Sequence, residues 1–206
     1  MLYASIIAFV LSYLLGSINT SIIVARAFGE DDIRKKGSGN AGATNTLRVL
    51  GKKAAVLVVL GDALKGIIAV LLSKCFEEIF FVSDGGYAVY VSSVAVVLGH
   101  VFPVFFGFRG GKGIMTSIAV IFMLSPIIGG ILLAVFVATV ICFNYISLAS
   151  CICCLCYPAL VAWLYNGDVA FLISAVIVAL IALVKHRTNI VRLFKGNESK
   201  FIKNRV

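Results

Sequence analysis

Two glycine-rich polar stretches interrupt an otherwise apolar chain. The first is Gly37-Ser38-Gly39-Asn40-Ala41-Gly42-Ala43-Thr44-Asn45-Thr46-Leu47-Arg48, and the second is Gly107-Phe108-Arg109-Gly110-Gly111-Lys112-Gly113. Glycine lets backbone N–H groups approach a ligand closely. The hydroxyls and amides of Ser38, Asn40, Thr44, Asn45 and Thr46 add donors. Arg48 and Lys112 add positive charge, and Arg48 can grip a phosphate through two parallel hydrogen bonds. Together this is the chemistry of a phosphate site. A plain polar connector would not need this density of glycine, amide and Arg. The second stretch is not a nucleotide P-loop. The first glycine of that motif would fall at Phe106, residue 113 is Gly where Ser or Thr is required, and no strand precedes the loop.

Other polar residues sit near the ends of apolar runs. His100, in Gly99-His100-Val101-Phe102-Pro103, is either a general base or a packed, hydrogen-bonded histidine, and the second is the commoner state. Asp62 and Lys65, three apart, share a helix face inside an apolar segment. Charges at such positions pair or face a protein interior. A register-fixing ion pair is the plainer reading and a site role the sharper one. Lys185, Arg187 and Arg192 read as a basic anchor beside lipid headgroups. His186 and Asn189, three apart on one face, are not explained by an anchor and could converge on an anion or a hydroxyl. Ser147 and Ser150 could line the same place or bond their own helix. Four of the six cysteines lie in Cys151-Ile-Cys-Cys-Leu-Cys156. The spacing is not a zinc pattern and the flanks are apolar, so these read as small packing residues.

The elements that carry these residues are membrane helices. Of 206 residues, 61% are hydrophobic and only 13% charged, whereas a soluble domain is roughly a quarter charged. Apolar runs predict seven transmembrane helices, over 3–27, 53–73, 87–106, 113–124, 127–143, 147–165 and 169–185. The first is too long, and too poor in basic residues at its start, for a cleaved signal peptide. Ser125-Pro126 and Gly129-Gly130 predict a turn between the fourth and fifth. Residues 38–51 predict a short surface helix starting near Thr44 or Asn45.

The fold class expected is an all-α integral membrane protein, a single polytopic domain over 1–206. Sixteen of the 18 basic residues, all but Lys65 and Lys74, then fall on one side, including Lys203 and Arg205 in the tail. Opposite lie Lys74, Glu77, Glu78, Asp84 and Asp168. The positive-inside rule puts the N-terminus outside, the C-terminus in the cytoplasm and both glycine loops on the cytoplasmic face. The net charge of +9 is thus topological first and suited to anionic lipid or substrate second. No nucleic-acid module is visible.

Three motifs together resemble a known family. Gly-Ser-Gly-Asn-x-Gly-Ala-Thr-Asn-x-x-Arg at 37–48, Gly-His-x-Phe-Pro at 99–103 followed by Gly-Gly-Lys-Gly at 110–113, and His-Arg-x-Asn-Ile-x-Arg-Leu at 186–193 look like the bacterial acyl-phosphate:glycerol-3-phosphate acyltransferases, the PlsY family. The likeness runs over nearly the whole chain, including Asp62-x-x-Lys65-Gly66. It implies a seven-helix enzyme of the bacterial cell membrane that moves a fatty acyl group from acyl phosphate to the 1-hydroxyl of glycerol 3-phosphate. Lysophosphatidic acid and phosphate result, the first committed step of phospholipid synthesis, with no metal, no cofactor and no acyl-CoA.

By the same likeness, Ser38, His100 and Lys112 form the catalytic set, with His100 shaping the site. Arg48, Lys112, Ser147, His186 and Asn189 bind glycerol 3-phosphate. Ser38, Gly39, Asn40, Thr44, Gly110, Gly111 and Gly113 bind acyl phosphate. The enzyme that forms acyl phosphate upstream is a candidate partner. Two departures are visible: Ala41 stands where the family has proline, and Asn144 where it has Arg before Tyr145 in the pattern that contains Ser147.

The residues fit that chemistry on their own terms. A donor that carries phosphate as its leaving group needs positioning and charge balance more than a covalent nucleophile. No Ser–His–Asp set is evident, because the carboxylates lie in Glu30-Asp31-Asp32, in Asp62, on the outer side or in the tail. Direct attack by the glycerol hydroxyl is the expected mechanism, with the donor phosphate taking the proton. Ser38 as a transient nucleophile is the version to test against it. A transporter of a phosphorylated solute is the competing class. It would need polar residues near the midplane, whereas here they gather at one face. An acyl-CoA enzyme of the His-x-x-x-x-Asp type is excluded by Phe105 and Val191, and clustered aspartates of a CDP-alcohol transferase are lacking.

Overall fold

The computed structural model of the protein describes residues 2–79 and 87–201. Asp84, Lys203 and Arg205, used in the charge argument, lie outside them. The described residues are helical throughout, with nine α-helices and no strand among them. The chain divides into two compact units, Met1–Met123 and Leu124–Val206.

In the first unit, α1 (Leu2–Ser17) and α2 (Thr20–Ala27) replace the single uninterrupted helix expected over 3–27. The break has a clear cause. Asn19 caps α2, its Oδ1 accepting from the Ile22 amide at 3.1 Å, and this satisfies a donor that a helix start leaves orphaned. Next comes α3 (Ala43–Ile79), interrupted at Gly51, whose φ of 81° and ψ of −174° are not helical. The expected short helix before residue 51 is therefore present as its first segment. Beyond the break the helix outruns the expected 53–73 and reaches Ile79, the last described residue before Tyr87.

The helix α4 (Tyr87–Val101) lies along α1, and α5 (Ile114–Leu124) has all but its last residue in this unit. Small residues let these helices meet backbone to backbone. A methyl group on Gly16 would strike the Val96 carbonyl, one on Gly99 would lie 2.8 Å from the Ser17 amide, and one on Gly66 would lie 2.9 Å from the Thr116 carbonyl. The buried side is Ala, Val, Ser and Thr, whereas Ile6, Val10, Leu14, Val56, Leu60, Leu64 and Leu71 point outward. Large apolar residues outside and small ones inside are the arrangement of helices immersed in lipid.

In the second unit, α6 (Pro126–Phe143) starts with proline in its first turn and Ser125 as cap. The Ser125 Oγ accepts from the Ile128 amide at 3.3 Å and from the Tyr165 hydroxyl at 2.8 Å. Only Ser125-Pro126 breaks the chain here. Gly129 and Gly130, expected to be part of the turn, are inside α6, because Gly129 donates to the Ser125 carbonyl at 3.0 Å and continues the ladder.

Asn144, at φ 62°, closes α6 in the left-handed conformation, which Asn tolerates better than most residues. Then follow α7 (Ile146–Leu164), with Pro158 inside it, and α8 (Val169–Lys185), capped by Asp168. The last helix, α9 (Arg187–Phe194), bends from α8 by 59° at His186 and falls where a basic tail was expected. The Cys151–Cys156 run lies on α7 as free thiols, with Cys151 and Cys154 buried and the Cys153 thiol donating to the Leu132 carbonyl at 3.3 Å.

Five stretches are long and apolar enough to cross a bilayer: Ser5–Ala27, Ala43–Ile79, Tyr87–Phe106, Pro126–Phe143 and Ile146–Leu164. The bent pair Val169–Lys185 and Arg187–Phe194 makes a sixth. At about 1.5 Å per residue, α5 is roughly half the hydrocarbon thickness. The protein is a multi-pass helical membrane protein.

Candidate functional site

The two glycine stretches come together in the first unit. Asn45, buried near the start of α3, is the strut of the first. Its Oδ1 accepts from the Ser38 amide at 2.7 Å, and its Nδ2 donates to the carbonyls of Ile33 at 3.1 Å and Lys36 at 3.0 Å. Gly37, at φ 61°, passes so close that a side chain there would strike Asn45 Oδ1. Thr46 adds a second tie, from its Oγ1 to the Gly42 carbonyl at 3.1 Å and to Ser21 Oγ on α2 at 3.0 Å. The loop is a fixed frame. Ser38, Gly39 and Arg48 are exposed on it, and Asn40 and Thr44 are half-buried.

The second loop folds back over the end of α4. The Tyr13 hydroxyl donates to the Phe102 carbonyl at 2.8 Å, and the Val104 amide donates to Ser17 Oγ at 3.3 Å. The amides of Gly110 and Gly111 donate to the carbonyls of Val101 and His100, each at 3.2 Å. These two amides therefore serve the turn, and the glycines bring the chain close. Gly113, at φ 83°, accepts from the Ser117 amide at 2.8 Å, so the first turn of α5 starts directly after Lys112. A helix start presents amides and a positive dipole end to an anion. Lys112 is half-buried and Arg109 exposed.

Arg34 joins the loops. Its Nη1 donates to the carbonyls of Phe106 at 2.8 Å and Arg109 at 3.0 Å, while its Nε and Nη2 engage Asp32 at 2.9 Å. That hydrogen bonding from Arg34 holds the Asp32 carboxyl below its ordinary pKa, against a smaller opposing effect of burial. A second contact is at Gly111, where a Cβ would lie 2.6 Å from the Ala41 carbonyl oxygen and collide with the His100 ring. His100 is 3% exposed, which fits the packed histidine rather than a solvent-facing base. Its Nδ1 lies 3.4 Å from Asp62 Oδ1 and 3.4 Å from Thr116 Oγ1. Asp62 and Lys65 pair at 2.9 Å, as their spacing suggests.

A second polar cluster lies within the second unit, where Ser147, Asn189 and Arg192 converge on one carboxylate. Ser147 Oγ donates to Glu198 Oε1 at 2.9 Å, Asn189 Nδ2 to the same oxygen at 2.6 Å, and Arg192 Nε to Oε2 at 2.7 Å. The Glu198 side chain is only 6% exposed. Burial works to raise its pKa, but hydrogen bonds from Arg192, Asn189 and Ser147 outweigh it and hold the carboxyl below its ordinary value. The tail carboxylate, which the sequence placed in no Ser–His–Asp set, thus lies against two of the residues expected to bind substrate, Ser147 and Asn189.

His186 stands at the α8–α9 bend, 2% exposed, with Nδ1 2.8 Å from the Ala182 carbonyl. A carbonyl can only accept, so Nδ1 carries a proton in this contact. Ser150 bonds its own helix, at the Ile146 carbonyl, 2.9 Å away. Asn144, where the family pattern has Arg, accepts from the Phe201 amide at 2.8 Å through its carbonyl.

Sequence reasoning missed Arg34, left Asn45 out of the site set and gave no role to Glu198. Asn45 had a signal, an amide inside a glycine-rich run. Arg34 and Glu198 had near neighbours of opposite charge in Asp32 and Arg192, but no signal for their ties to the carbonyls of Phe106 and Arg109 or to Ser147, which are distant in the chain.

Fold and site define a class, a multi-pass helical membrane protein with two glycine-rich loops tied to each other by hydrogen bonds and close backbone packing. Comparison with known proteins narrows it. The family model described as glycerol-3-phosphate acyltransferase matches residues 6–196. A glycerol-3-phosphate acyltransferase of Neisseria meningitidis serogroup C is 40% identical over 196 residues, 95% of this chain and 96% of its own. That of Thermoanaerobacter pseudethanolicus is 44% identical over 199 residues, 97% and 96% of the two chains. The crystal structure of PlsY, an integral membrane glycerol 3-phosphate acyltransferase, in its glycerol 3-phosphate form superposes with a TM-score of 0.87 at 36% identity, covering 96% of each chain. Its lysophosphatidic acid form gives 0.84 at 35%, over 95% and 94%. The chain belongs to the glycerol-3-phosphate acyltransferase family.

Proposed function

We propose that the protein transfers a fatty acyl group from acyl phosphate to the 1-hydroxyl of sn-glycerol 3-phosphate, giving lysophosphatidic acid and phosphate for phospholipid synthesis. The observation that carries this reading is the pair of glycine loops, locked together by Arg34 and by Gly111 against Ala41 and His100, with Lys112 at the start of α5. The acceptor and product agree with the ligands named for the two PlsY crystal forms. The acyl-phosphate donor rests on the sequence motifs.

In this reading Ser38, Gly39, Asn40, Thr44, Gly110, Gly111 and Gly113 surround the donor phosphate. Arg48 and Lys112 balance phosphate charge. In the second unit Ser147, His186 and Asn189 hold glycerol 3-phosphate. The hydroxyl oxygen attacks the acyl carbon, the bond from that carbon to the phosphate oxygen breaks, and the departing phosphate takes the proton. Ser38 and Lys112 act at the reacting groups, and His100 shapes the site from below. Preorganised donors and positive charge are sufficient for such a transfer, because the leaving group is already good.

Residues 1–206 form a single acyltransferase domain in this reading. It crosses a bacterial cell membrane seven times, with α5 as a short crossing, the N-terminus outside and the C-terminus and both loops in the cytoplasm. The asymmetry of Lys and Arg supports that orientation. The enzyme that makes acyl phosphate is the candidate partner.

The test uses purified protein in detergent or lipid with palmitoyl phosphate and glycerol 3-phosphate, following phosphate and lysophosphatidate together. Equal formation of both, lost in Lys112→Ala and not supported by palmitoyl-CoA, is the expected result. A folded sample that does not turn over, but takes up glycerol 3-phosphate in liposomes, would establish a transporter instead. A burst that leaves acylated Ser38 would replace direct attack by a covalent route.

A further inference from the structure

Three ionisable side chains are buried together inside the first unit. Asp62 is 2% exposed, Lys65 4% and His100 3%. Burying a carboxylate and an ammonium in a membrane protein is costly, and a buried pair is weak as a source of stability. Its placement therefore calls for another explanation.

Each member reaches a different element. Lys65 Nζ donates to the carbonyls of Gly16 at 3.2 Å and Ile18 at 3.1 Å, which end α1 at its break from α2. Asp62 Oδ1 touches Lys65 Nζ at 2.9 Å and His100 Nδ1 at 3.4 Å. At these distances the oxygen acts on both neighbours chiefly through its charge. Thr116, on α5, donates to the Asp62 backbone carbonyl at 3.1 Å and lies 3.4 Å from the same imidazole nitrogen. The far edge of that ring lies against Gly111, with Cε1 3.0 Å from where a Cβ would stand, and the Gly111 amide rests on the His100 carbonyl. Lys112 is the next residue.

We propose that Asp62 is a positioning residue that acts through His100. It fixes the imidazole from the Nδ1 side, the ring supports Gly111 from beneath, and the support sets where Lys112 stands. Lys65 balances the Asp62 charge and ties the assembly to the α1–α2 break. The role rests on the reading that Lys112 serves a phosphate, and the chain of contacts lies wholly within the first unit. It also explains why Gly111 must be glycine: the ring and the Ala41 carbonyl leave no room for a Cβ. A 1 Å misplacement of a substrate-handling group can lower turnover about 100-fold, so a support two contacts away is felt at the reaction.

The experiment is a double-mutant cycle on the full-length protein. Asp62→Asn/Lys65→Met removes both charges while keeping side-chain volume. His100→Asn removes the ring edge under Gly111. Thr116→Val is a milder probe that keeps the fold if the first variant does not. For each, kcat and KM for both substrates are measured beside the thermal midpoint, and acetylation of Lys112 relative to Lys36 is followed by mass spectrometry.

Each of the first two variants is expected to lower kcat/KM about tenfold or more. Their combination is expected to be no worse than the poorer one, because they act on one path. Thr116→Val is expected to shift in the same direction by about threefold. Lys112 acetylation is expected to change in the same direction in all, and least in Thr116→Val. Losses that multiply in the combination, or a lowered midpoint with unchanged kinetics and Lys112 labelling, would overturn the proposal. If wild-type protein does not turn over, the acyltransferase reading fails separately. The labelling then still decides whether Asp62 and His100 set the position of Lys112.

Discussion

Replacing Gly111 with alanine tests how tightly the two loops are fitted. The added methyl group would lie 2.6 Å from the Ala41 carbonyl oxygen, about 0.8 Å inside ordinary contact at 3.4 Å, and would also meet His100. These obstacles are a backbone atom of the first loop and a ring that is itself wedged by Asp62 and Thr116. Neither is the free end of a long side chain, so the loop itself must move by several tenths of an ångström to an ångström. Overpacking of this kind costs about 1–3 kcal/mol, and a displacement near 1 Å at a substrate-handling residue costs about 100-fold in rate. The expected outcome for Gly111→Ala is a 10- to 100-fold fall in kcat/KM with the protein still folded, measured by lysophosphatidate formation beside a thermal melt. Gly130→Ala is the matched control. It sits within α6 with nothing within 4 Å of its Cβ position, so it keeps full activity and gains about 0.5–1 kcal/mol in helix preference. Wild-type activity in Gly111→Ala, or an equal loss in Gly130→Ala, would refute the reasoning.

Two further outcomes follow from the struts. Asn45→Ala removes one acceptor and two donations that hold residues 33–38. It is expected to cost about 2–3 kcal/mol, seen as a lower thermal midpoint together with loss of activity in the folded fraction. Glu198→Gln removes the charge on which Ser147, Asn189 and Arg192 converge. Arg192 is 44% exposed, so solvent screening keeps the expected loss at neutral pH to about 1 kcal/mol. Because the folded Glu198 carboxyl ionises below its ordinary value, its stabilisation is present above the ordinary glutamate range and is lost as pH falls through the lower folded value. The gap in thermal midpoint between wild type and Glu198→Gln should therefore close only on acidification. A gap that stays constant from neutral to acidic pH would show that ionisation of Glu198 is not what holds the cluster.

Much of the helical layout was legible because the bilayer imposes a single requirement, a long apolar run, and the chain meets it plainly at 87–106, 127–143 and 147–165. The misreadings have local causes. Asn19 interrupts the first run with a capping hydrogen bond, within a short polar stretch, Ser17-Ile18-Asn19-Thr20-Ser21, that longer apolar runs flank on both sides. Lys74, Glu77 and Glu78 look like a loop, yet helical hydrogen bonding continues through them to Ile79. Gly129 and Gly130 look like a turn, but Ser125 and Pro126 had already started a helix that absorbs both. Within the site, the Asp62–Lys65 pair could be read from a spacing of three. Its link to His100 could not, since that depends on how α3, α4 and α5 pack. Likewise, nothing in the spacing of Glu198 announces Ser147, 51 residues away.

The break at Gly51 has a mechanical consequence. Beyond it, residues 52–79 run for about 42 Å at ~1.5 Å per residue, well over the roughly 30 Å of a hydrocarbon core. A helix that long must lean or protrude as the membrane thins or thickens. Were it continuous with 43–50, every such change of angle would be levered directly into the strut at Asn45 and the loop it holds. The left-handed residue at 51, with open space where a side chain would be, is instead an articulated joint. The long helix can follow the bilayer while the frame around Ser38 keeps its shape, and under the proposed function that insulates the transfer from the thickness of the lipid whose synthesis it serves.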